Sequence, residues 1–410
     1  MTSNLKVDYL ILGGGVAGTT AAETIRERSD GSVMIVTDDA NCLYSRVRLP
    51  DYIAGSIPRE KVFIKEEKWY RDQRIDLLRE TPVVSLSPRD CSVGLKNGKK
   101  IRYGKLLLAT GGAARRPRFG EPEKEGIYSF RTIEDAERIR EALGTSKNAV
   151  VLGGGYIGLE LVRCSIRYGL ETVLVLMDSQ FWPQSLDEAS SKMVERVLRE
   201  KGVIVHFQSQ IQTIMGNGKI QGITLDPKRR YDCNFLGIGI GISTLHPFIE
   251  TSGIEVKNGV LTDETLKTTD SNIYAAGDVA EFYDVKYQKH RQLGNWVNAI
   301  EQGKIAGANM AGDRQVYRAI SNYAIRIFGL SIGFVGETAN VSGTDIIRRG
   351  SPEDEGYVRL FIRNGRIKGA TLINRSHEMR PIMQLIQKEV PVNPKESNLE
   401  NIDYELDSFL

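Results

Sequence analysis

The chain alternates short apolar runs with amphipathic stretches, and several of the runs stop at glycine. Val7–Leu12 (VDYLIL) ends at Gly13-Gly14-Gly15 and passes into Thr19–Arg28. There Ala21, Ala22 and Ile25 recur at helical spacing before Ser29-Asp30-Gly31 breaks the pattern. Val150–Leu152 repeats the device, stopping at Gly153-Gly154-Gly155 and leading into YIGLE. Further strand-like runs are Val33–Val36, Tyr103–Gly111 (YGKLLLATG), Thr172–Met177, Phe235–Gly239 and Asn272–Asp278 (NIYAAGD). Helical spacing predicts helices over Ile133–Leu143 and Asp187–Lys201, and a small-residue helix from Gly294-Asn295-Trp296 through Gly312. Strands alternating with helices predict parallel sheets and an α/β fold. Val83–Leu95 alternates as half-buried strands, with Asn97-Gly98 as a hairpin turn. Lys61–Leu78, charged and carrying Trp69 and Tyr70, is expected as a peripheral helical region, and Ala280 is expected to open another helix. Tyr317–Val390 mixes short strands, among them Val358–Ile362 and Ile367–Ile373 around Asn364-Gly365. The polar, net acidic tail Pro391–Leu410 is expected to lack structure of its own, with Phe409-Leu410 available to dock a partner.

The two glycine runs share the spacing Gly-x-Gly-x-x-Gly, at Gly13, Gly15 and Gly18 and at Gly153, Gly155 and Gly158. The first glycine permits the tight turn, the second lets backbone approach a pyrophosphate, and the third lets helix and strand pack closely. The helix that follows offers unpaired N–H groups and a partial positive charge to phosphate. Two such loops imply two dinucleotides that must meet. After the second strand, Asp38-Asp39 stands where a carboxylate would take ribose hydroxyls, with Asp38 preferred to Asp39 and a solvated acidic turn the alternative. The corresponding strand of the second loop reads VLVLM, with Leu176 in the acid's place and Asp178 late. No arginine pair stands there to grip a 2′-phosphate. Arg46 and Arg48, in the apolar setting of YSRVRLP, suit a phosphate or an anionic ring, or are surface arginines. Glu160, one turn into the second nucleotide helix, needs a cation if buried, and Arg131 is the candidate. Ala109-Thr110-Gly111 lets backbone pass beside a bound dinucleotide, and Asp278, ending a short apolar strand, can accept from a sugar or ribitol hydroxyl. The basic connector Arg115-Arg116-Pro117-Arg118 is expected to be a solvated linker.

Composition narrows the classes. With 410 residues, 41% of them apolar, the chain is long enough for two or three domains. A net charge of +3 lends no support to nucleic-acid binding. Cys42, Cys91, Cys164 and Cys233 form no CxxC pair and the 4 histidines lack metal spacing, so no metal site, iron–sulfur cluster or vicinal disulfide is expected. No apolar run approaches a membrane span and no signal-like segment precedes the first strand, which predicts a cytoplasmic protein without nucleic-acid or membrane partners.

GGGVAG, LLLATG, GGGYIGLE and IYAAGD follow one another in that order, and jointly they resemble the pyridine-nucleotide-dependent disulfide oxidoreductase superfamily of two-dinucleotide flavoproteins. YSRVRLPDYIAG and NWVNAIEQGKIAGANMAG look most like NADH-dependent rubredoxin or ferredoxin reductases and the flavin module of assimilatory nitrite reductases. The resemblance implies two Rossmann-like three-layer domains of the glutathione-reductase kind plus a small α+β C-terminal domain. It assigns 1–114 and 244–316 to FAD, 115–243 to NAD(P), 317–390 to an interface and 391–410 to the tail. FAD is expected on Gly13, Gly15, Ala17, Gly18, Asp38, Arg46, Val84, Ala109, Thr110, Gly111, Asp278 and Trp296. NAD(P), with NAD(H) favoured, is expected on Gly153, Gly155, Tyr156, Ile157, Gly158, Glu160 and Gly239. Glu160 would stand beside nicotinamide and flavin with Arg131 nearby, and a helix starting around Val279–Glu281 would stabilise the reduced flavin's charge. Disulfide-reducing relatives carry a redox cysteine where this chain has Val47; Cys42 lies upstream of that position, so no thiol relay is expected. The implied activity is hydride transfer from NAD(P)H to FAD, then electrons to rubredoxin or ferredoxin. Alternatives are an electron-transfer subunit of a larger iron–sulfur complex and a flavin-bound interaction or signalling protein; a homodimer is open.

Overall fold

The computed structural model describes residues 5–117, 124–318, 320–339, 341–354, 356–393 and 398–410; Arg118 of the basic connector and 394–397 of the tail lie outside them. The chain divides into two compact units, residues 1–48, 57–113 and 242–319, and residues 49–56, 114–241 and 320–410.

In the first unit, β1 (Leu5–Leu12), β2 (Val33–Val36), β3 (Ile75–Leu78), β4 (Val83–Ser87), β5 (Ser92–Leu95) and β6 (Lys100–Leu108) form one sheet in the order β3-β2-β1-β6-β5-β4. Strand Ile273–Ala275 joins it beside β6. The core strands β1, β2, β3 and β6 run parallel, and β4 and β5 return antiparallel. A strand covered on both faces needs a continuous apolar run rather than alternation, which Leu10, Ile11 and Leu12 supply, all buried. Helix α1 (Val16–Arg26) lies on this sheet against the helix Trp296–Met310, and glycine sets the spacing. A Cβ at Gly307 would stand 2.6 Å from the Ala21 carbonyl oxygen, closer than any packed side chain tolerates. Two expectations are corrected here. Ile75–Leu78, expected within a helical region, is the edge strand β3, because pairing with β2 buries Ile75. Ala280–Asp284, expected to open a helix, is a strand between Val260–Thr262 and Lys289–Gln292, and Glu281 accepts from the Asn258 and Gly259 N–H groups there.

The second unit holds α2 (Leu49–Ile53), β7 (Ile127–Ser129), α3 (Ile133–Thr145), β8 (Asn148–Leu152), α4 (Tyr156–Arg167), β9 (Glu171–Val175), α5 (Glu188–Glu200), β10 (Ile204–His206) and β11 (Phe235–Ile238). Its five-stranded sheet runs β10-β9-β8-β11-β7, parallel throughout. The short α2 packs on α3 and α4. The same unit continues with β12 (Asn322–Ile327), β13 (Leu330–Gly336), β14 (Asp345–Gly350), β15 (Tyr357–Arg363) and β16 (Arg366–Ile373), an antiparallel sheet in the order β12-β13-β16-β15-β14. Helix α6 (Met379–Lys388) covers it with Ile382, Leu385 and Ile386. The tail, expected to lack structure, departs from that expectation: Leu399 and Leu406 enter the same core. The buried Arg349 guanidinium donates to the Leu399 (2.8 Å) and Tyr404 (2.9 Å) carbonyls while paired with Glu378 at 3.2 Å. A buried guanidinium with so many donors must be saturated, and tail carbonyls saturate it.

Candidate functional site

The first loop is built as a cradle. Gly13 has φ +116°, a conformation that favours glycine, and a Cβ there would collide with the Ala109 carbonyl; a Cβ at Gly18 would collide with Gly13. Gly15 differs: its backbone is ordinary extended (φ −72°) and a Cβ would meet nothing within 4 Å. Space is therefore reserved outside Gly15, in front of α1. Ala17 is buried beneath Gly277, whose Cβ would come within 3.2 Å of the Ala17 Cβ. Beside the loop, the Ala109 N–H donates to Leu12 O at 2.8 Å, and the buried Thr110 Oγ1 has no hydrogen-bond partner. An orphaned hydroxyl beside the Gly13 turn fits a bound polar group.

The second loop repeats the backbone arrangement. Gly153 has φ +106° and is closed by Gly239 O, Gly158 is closed by Gly153 O, and Gly155 again has nothing within 4 Å. The Gly239 N–H donates to Leu152 O at 2.8 Å, so Gly239 is the counterpart of Ala109, and the Ile157 backbone lies against it. Neither α1 nor α4 has a side-chain cap or an acidic residue in its first turn. By contrast, α3 is capped by Thr132 and Asp135, α5 by Asp187, and the helix from Trp296 by Asn295. Leaving the first-turn N–H groups uncapped at the two glycine loops leaves them for an anion.

Hydrogen bonding aligns the two loops residue by residue. The Gly13 N–H donates to Val36 O and the Gly153 N–H to Val175 O, so Val36 corresponds to Val175. Thr37 covers Gly14 as Leu176 covers Gly154, and both are buried. Asp38 therefore corresponds to Met177, not to Leu176 as expected. Leu176 faces inward, and Met177, the counterpart of Asp38, is 66% exposed. In the first loop Asp38 is exposed, whereas Asp39 is occupied by the Asn41 N–H (2.9 Å) and the Tyr44 hydroxyl (3.0 Å), with Arg46 at 3.9 Å. Arg46 thus leans on Asp39 and the Tyr44 ring, while Arg48 donates to Lys61 O.

Glu160 projects from α4 next to Arg163, whose Nε donates to Glu160 Oε2 at 2.7 Å and whose Nη2 donates to Asp51 Oδ1 at 3.0 Å. The expected partner, Arg131, is replaced by this arginine one turn along the same helix, the spacing that puts two side chains side by side. The Arg131 backbone N–H instead donates to Asp135 at the start of α3. Burial pushes the Glu160 carboxyl up, Arg163 opposes the shift and Asp51 adds to it. At the head of α4, Tyr156 packs with Trp182, Tyr323 and Phe334, and burial raises its hydroxyl's pKa.

Asp278 lies on a single turn of 3-10 helix, Gly277–Val279, so the helix N-terminus expected around Val279–Glu281 is absent: the chain goes straight into a strand. Its carbonyl accepts from Gln292 (2.7 Å), and Gly294, just before Trp296, abuts its carboxylate. Val84 is exposed on β4, whose approach is tied beside the Asp38 turn by the Thr81 N–H to Thr37 O bond (2.9 Å). Val47 is 64% exposed. Burial raises the Cys42 thiol, and pushes Cys164 and Cys233 up to about 12. These remain thiols rather than thiolates. Among the described residues no group of His, Cys, Asp or Glu could hold a metal ion, and no helix is long and apolar enough to cross a membrane. Arg163, Asp51 and Met177 were missed from the sequence; the Glu160–Arg163 spacing was the available signal for the first of them.

Residues 7–303 match the family described as pyridine nucleotide-disulphide oxidoreductase. The ferredoxin–NAD(+) reductase component of a biphenyl dioxygenase system from Paraburkholderia xenovorans is 25% identical, over 94% of this chain and 94% of that protein. Subunit epsilon of an NADH-dependent phenylglyoxylate dehydrogenase from Aromatoleum evansii is also 25% identical, over 95% and 93%. Among solved structures, that of a covalent putidaredoxin reductase–putidaredoxin complex is similar with a TM-score of 0.92 and 26% identity, over 99% of this chain and 98% of the other.

Proposed function

The chain belongs to the pyridine nucleotide-disulphide oxidoreductase family, and from that premise we propose that its Gly13 loop holds FAD, its Gly153 loop holds NAD(P), and electrons leave to a ferredoxin- or rubredoxin-like protein. It is an NAD(P)H-dependent flavoprotein oxidoreductase. The observation that carries the site assignment is the pair of open, uncapped glycine cradles at Gly15 and Gly155. When bound, FAD accepts a hydride from the reduced nicotinamide and releases the electrons singly.

The chain's own residues bind, orient and tune. Gly13, Gly15 and Gly18, with the first N–H groups of α1, take one pyrophosphate; Gly153, Gly155 and Gly158, with α4, take the other. Asp38 is free to accept from the adenosine ribose because Asp39 is engaged elsewhere. Asp278 takes the ribitol, Thr110 supplies its unpaired hydroxyl, and Ala109, Gly111, Val84 and Trp296 line the flavin. Arg46, with its Asp39 partner, would serve the same cofactor. Tyr156, Ile157 and Gly239 frame the second nucleotide. Arg163 partly offsets the burial of Glu160, so a carboxyl group can stand near the nicotinamide with a cation beside it. With Val47 in the cysteine's place, no thiol of the chain intervenes. In domain terms, 1–114 and 244–316 bind FAD, 115–243 bind NAD(P), and 317–390 form an interface through which two copies would pair. The four free thiols suit a reducing, cytoplasmic setting.

Anaerobic titration of the FAD-loaded protein tests the reading. NADH or NADPH should bleach the flavin, and rubredoxin or ferredoxin should reoxidise it far faster than a disulfide does. Failure of both nucleotides to bleach would sink the hydride route. A second reading, a subunit passing electrons between NAD and the iron–sulfur clusters of a larger complex, is supported by the near full-length similarity to subunit epsilon. Copurification of cluster-bearing subunits from the native host separates the two.

A further inference from the structure

The alignment of the two glycine loops bears on which nucleotide the second one takes. A carboxylate at the end of the second strand discriminates twice: it accepts from the ribose hydroxyls of NAD(H), and it repels the 2′-phosphate of NADP(H). The first loop presents such a group in Asp38. The second presents Met177, and the side chain is not held inward, since Leu176 already covers Gly154 and Met177 is 66% exposed. A thioether carries no charge and is only a weak acceptor. Positive selection for a 2′-phosphate needs guanidinium groups, and residues 176–180 read LMDSQ. Asp178, the counterpart of Asp39, is exposed; its repulsion falls off over a Debye length of about 8 Å at physiological salt. It leaves a small bias and no grip.

We propose that Met177 makes the second loop permissive, so that NAD(H) and NADP(H) are both bound, NAD(H) the more tightly but by less than about thirtyfold, short of what a lost charged hydrogen bond plus repulsion would cost. The inference rests on the assignment of that loop to a pyridine nucleotide. Its ligand class is thus the adenosine half of either dinucleotide, with Met177 as the specificity-determining position.

The test is calorimetric titration of the full-length, FAD-loaded protein with NAD⁺, NADP⁺, ADP-ribose and 2′-phospho-ADP-ribose, so that equilibrium binding is read without turnover. The expected result is binding of both members of each pair within about thirtyfold of one another. Met177→Glu should raise the preference for the unphosphorylated member by at least about tenfold, and Met177→Arg should shift it toward the phosphorylated one by a similar factor. A larger wild-type preference in either direction, or a preference unmoved by both substitutions, overturns the proposal. If none of the four ligands binds, it is the nucleotide assignment of the Gly153 loop that has failed. If all bind but with strong discrimination, the assignment stands and the role of Met177 falls.

Discussion

Glu160 keeps a burial penalty that Arg163 does not cancel, and this gives the residue a pH signature. Its carboxyl is raised above the ordinary glutamate value by burial first, with Arg163 opposing and Asp51 adding. For a carboxyl whose folded pKa is raised, the stability contribution is present below the unfolded value of 4.5 and is lost as pH climbs through the folded value. Glu160→Gln has no such loss. The difference in melting temperature, variant minus wild type, should therefore grow as pH rises from about 4.5 and level off once the folded carboxyl is ionised. A difference that is flat across that window, in thermal melts from pH 4 to 8, would contradict the burial argument. The sequence showed that Glu160 needs a cation and named Arg131. Arg163 was equally visible three residues on, but only the packing of α2 shows why it is held there, since Asp51 anchors its far side.

Glycine has two distinct uses at the level of elements, and substitution separates them. Along the face shared by α1 and the Trp296–Met310 helix, Gly307 sets the spacing: its missing Cβ is where the Ala21 carbonyl stands, 2.6 Å away. Gly307→Ala should cost about 1–3 kcal/mol of stability by overpacking, seen as a lower urea midpoint. Gly15 sets nothing in the fold, since its φ of −72° suits alanine and a Cβ would find open space. Gly15→Ala should leave the flavin-free protein's midpoint unchanged and lower flavin content after purification. Equal destabilisation by both would remove the distinction between packing glycines and ligand glycines. Periodicity alone could place these elements, yet it misassigned Ile75–Leu78 and Ala280–Asp284. Short segments carry too few residues to show a period, and pairing with β2 or with Val260–Thr262 decided them.

Across the whole molecule, chain segments are recruited far from their neighbours in sequence. Residues 49–56 belong to the second unit although the stretches on either side belong to the first, and the tail closes on the C-terminal sheet. Arg349 is the fastening: it is 1% exposed and donates to tail carbonyls at Leu399, Ile402 and Tyr404. Arg349→Ala strands those carbonyls and should cost about 3–5 kcal/mol. Truncation after Val392 strands the guanidinium instead and should also lower the melting temperature. In limited proteolysis the C-terminal peptide should be released early from the Arg349 variant and late from wild type; equal release rates would count against the fastening. The sequence by itself determined the two strand–glycine–helix cradles and the parallel α/β class. Those features are local: a positive φ, a backbone close approach or an uncapped helix start is a demand that one residue type meets wherever it stands. Tertiary structure decided that Arg163 is held between Glu160 and Asp51, the latter 112 residues away, that Leu176 turns inward while Met177 stays exposed, and that an acidic tail packs. Each of these depends on which surfaces meet across the chain, and burial and charge pairing are set by neighbours in space that no local pattern specifies.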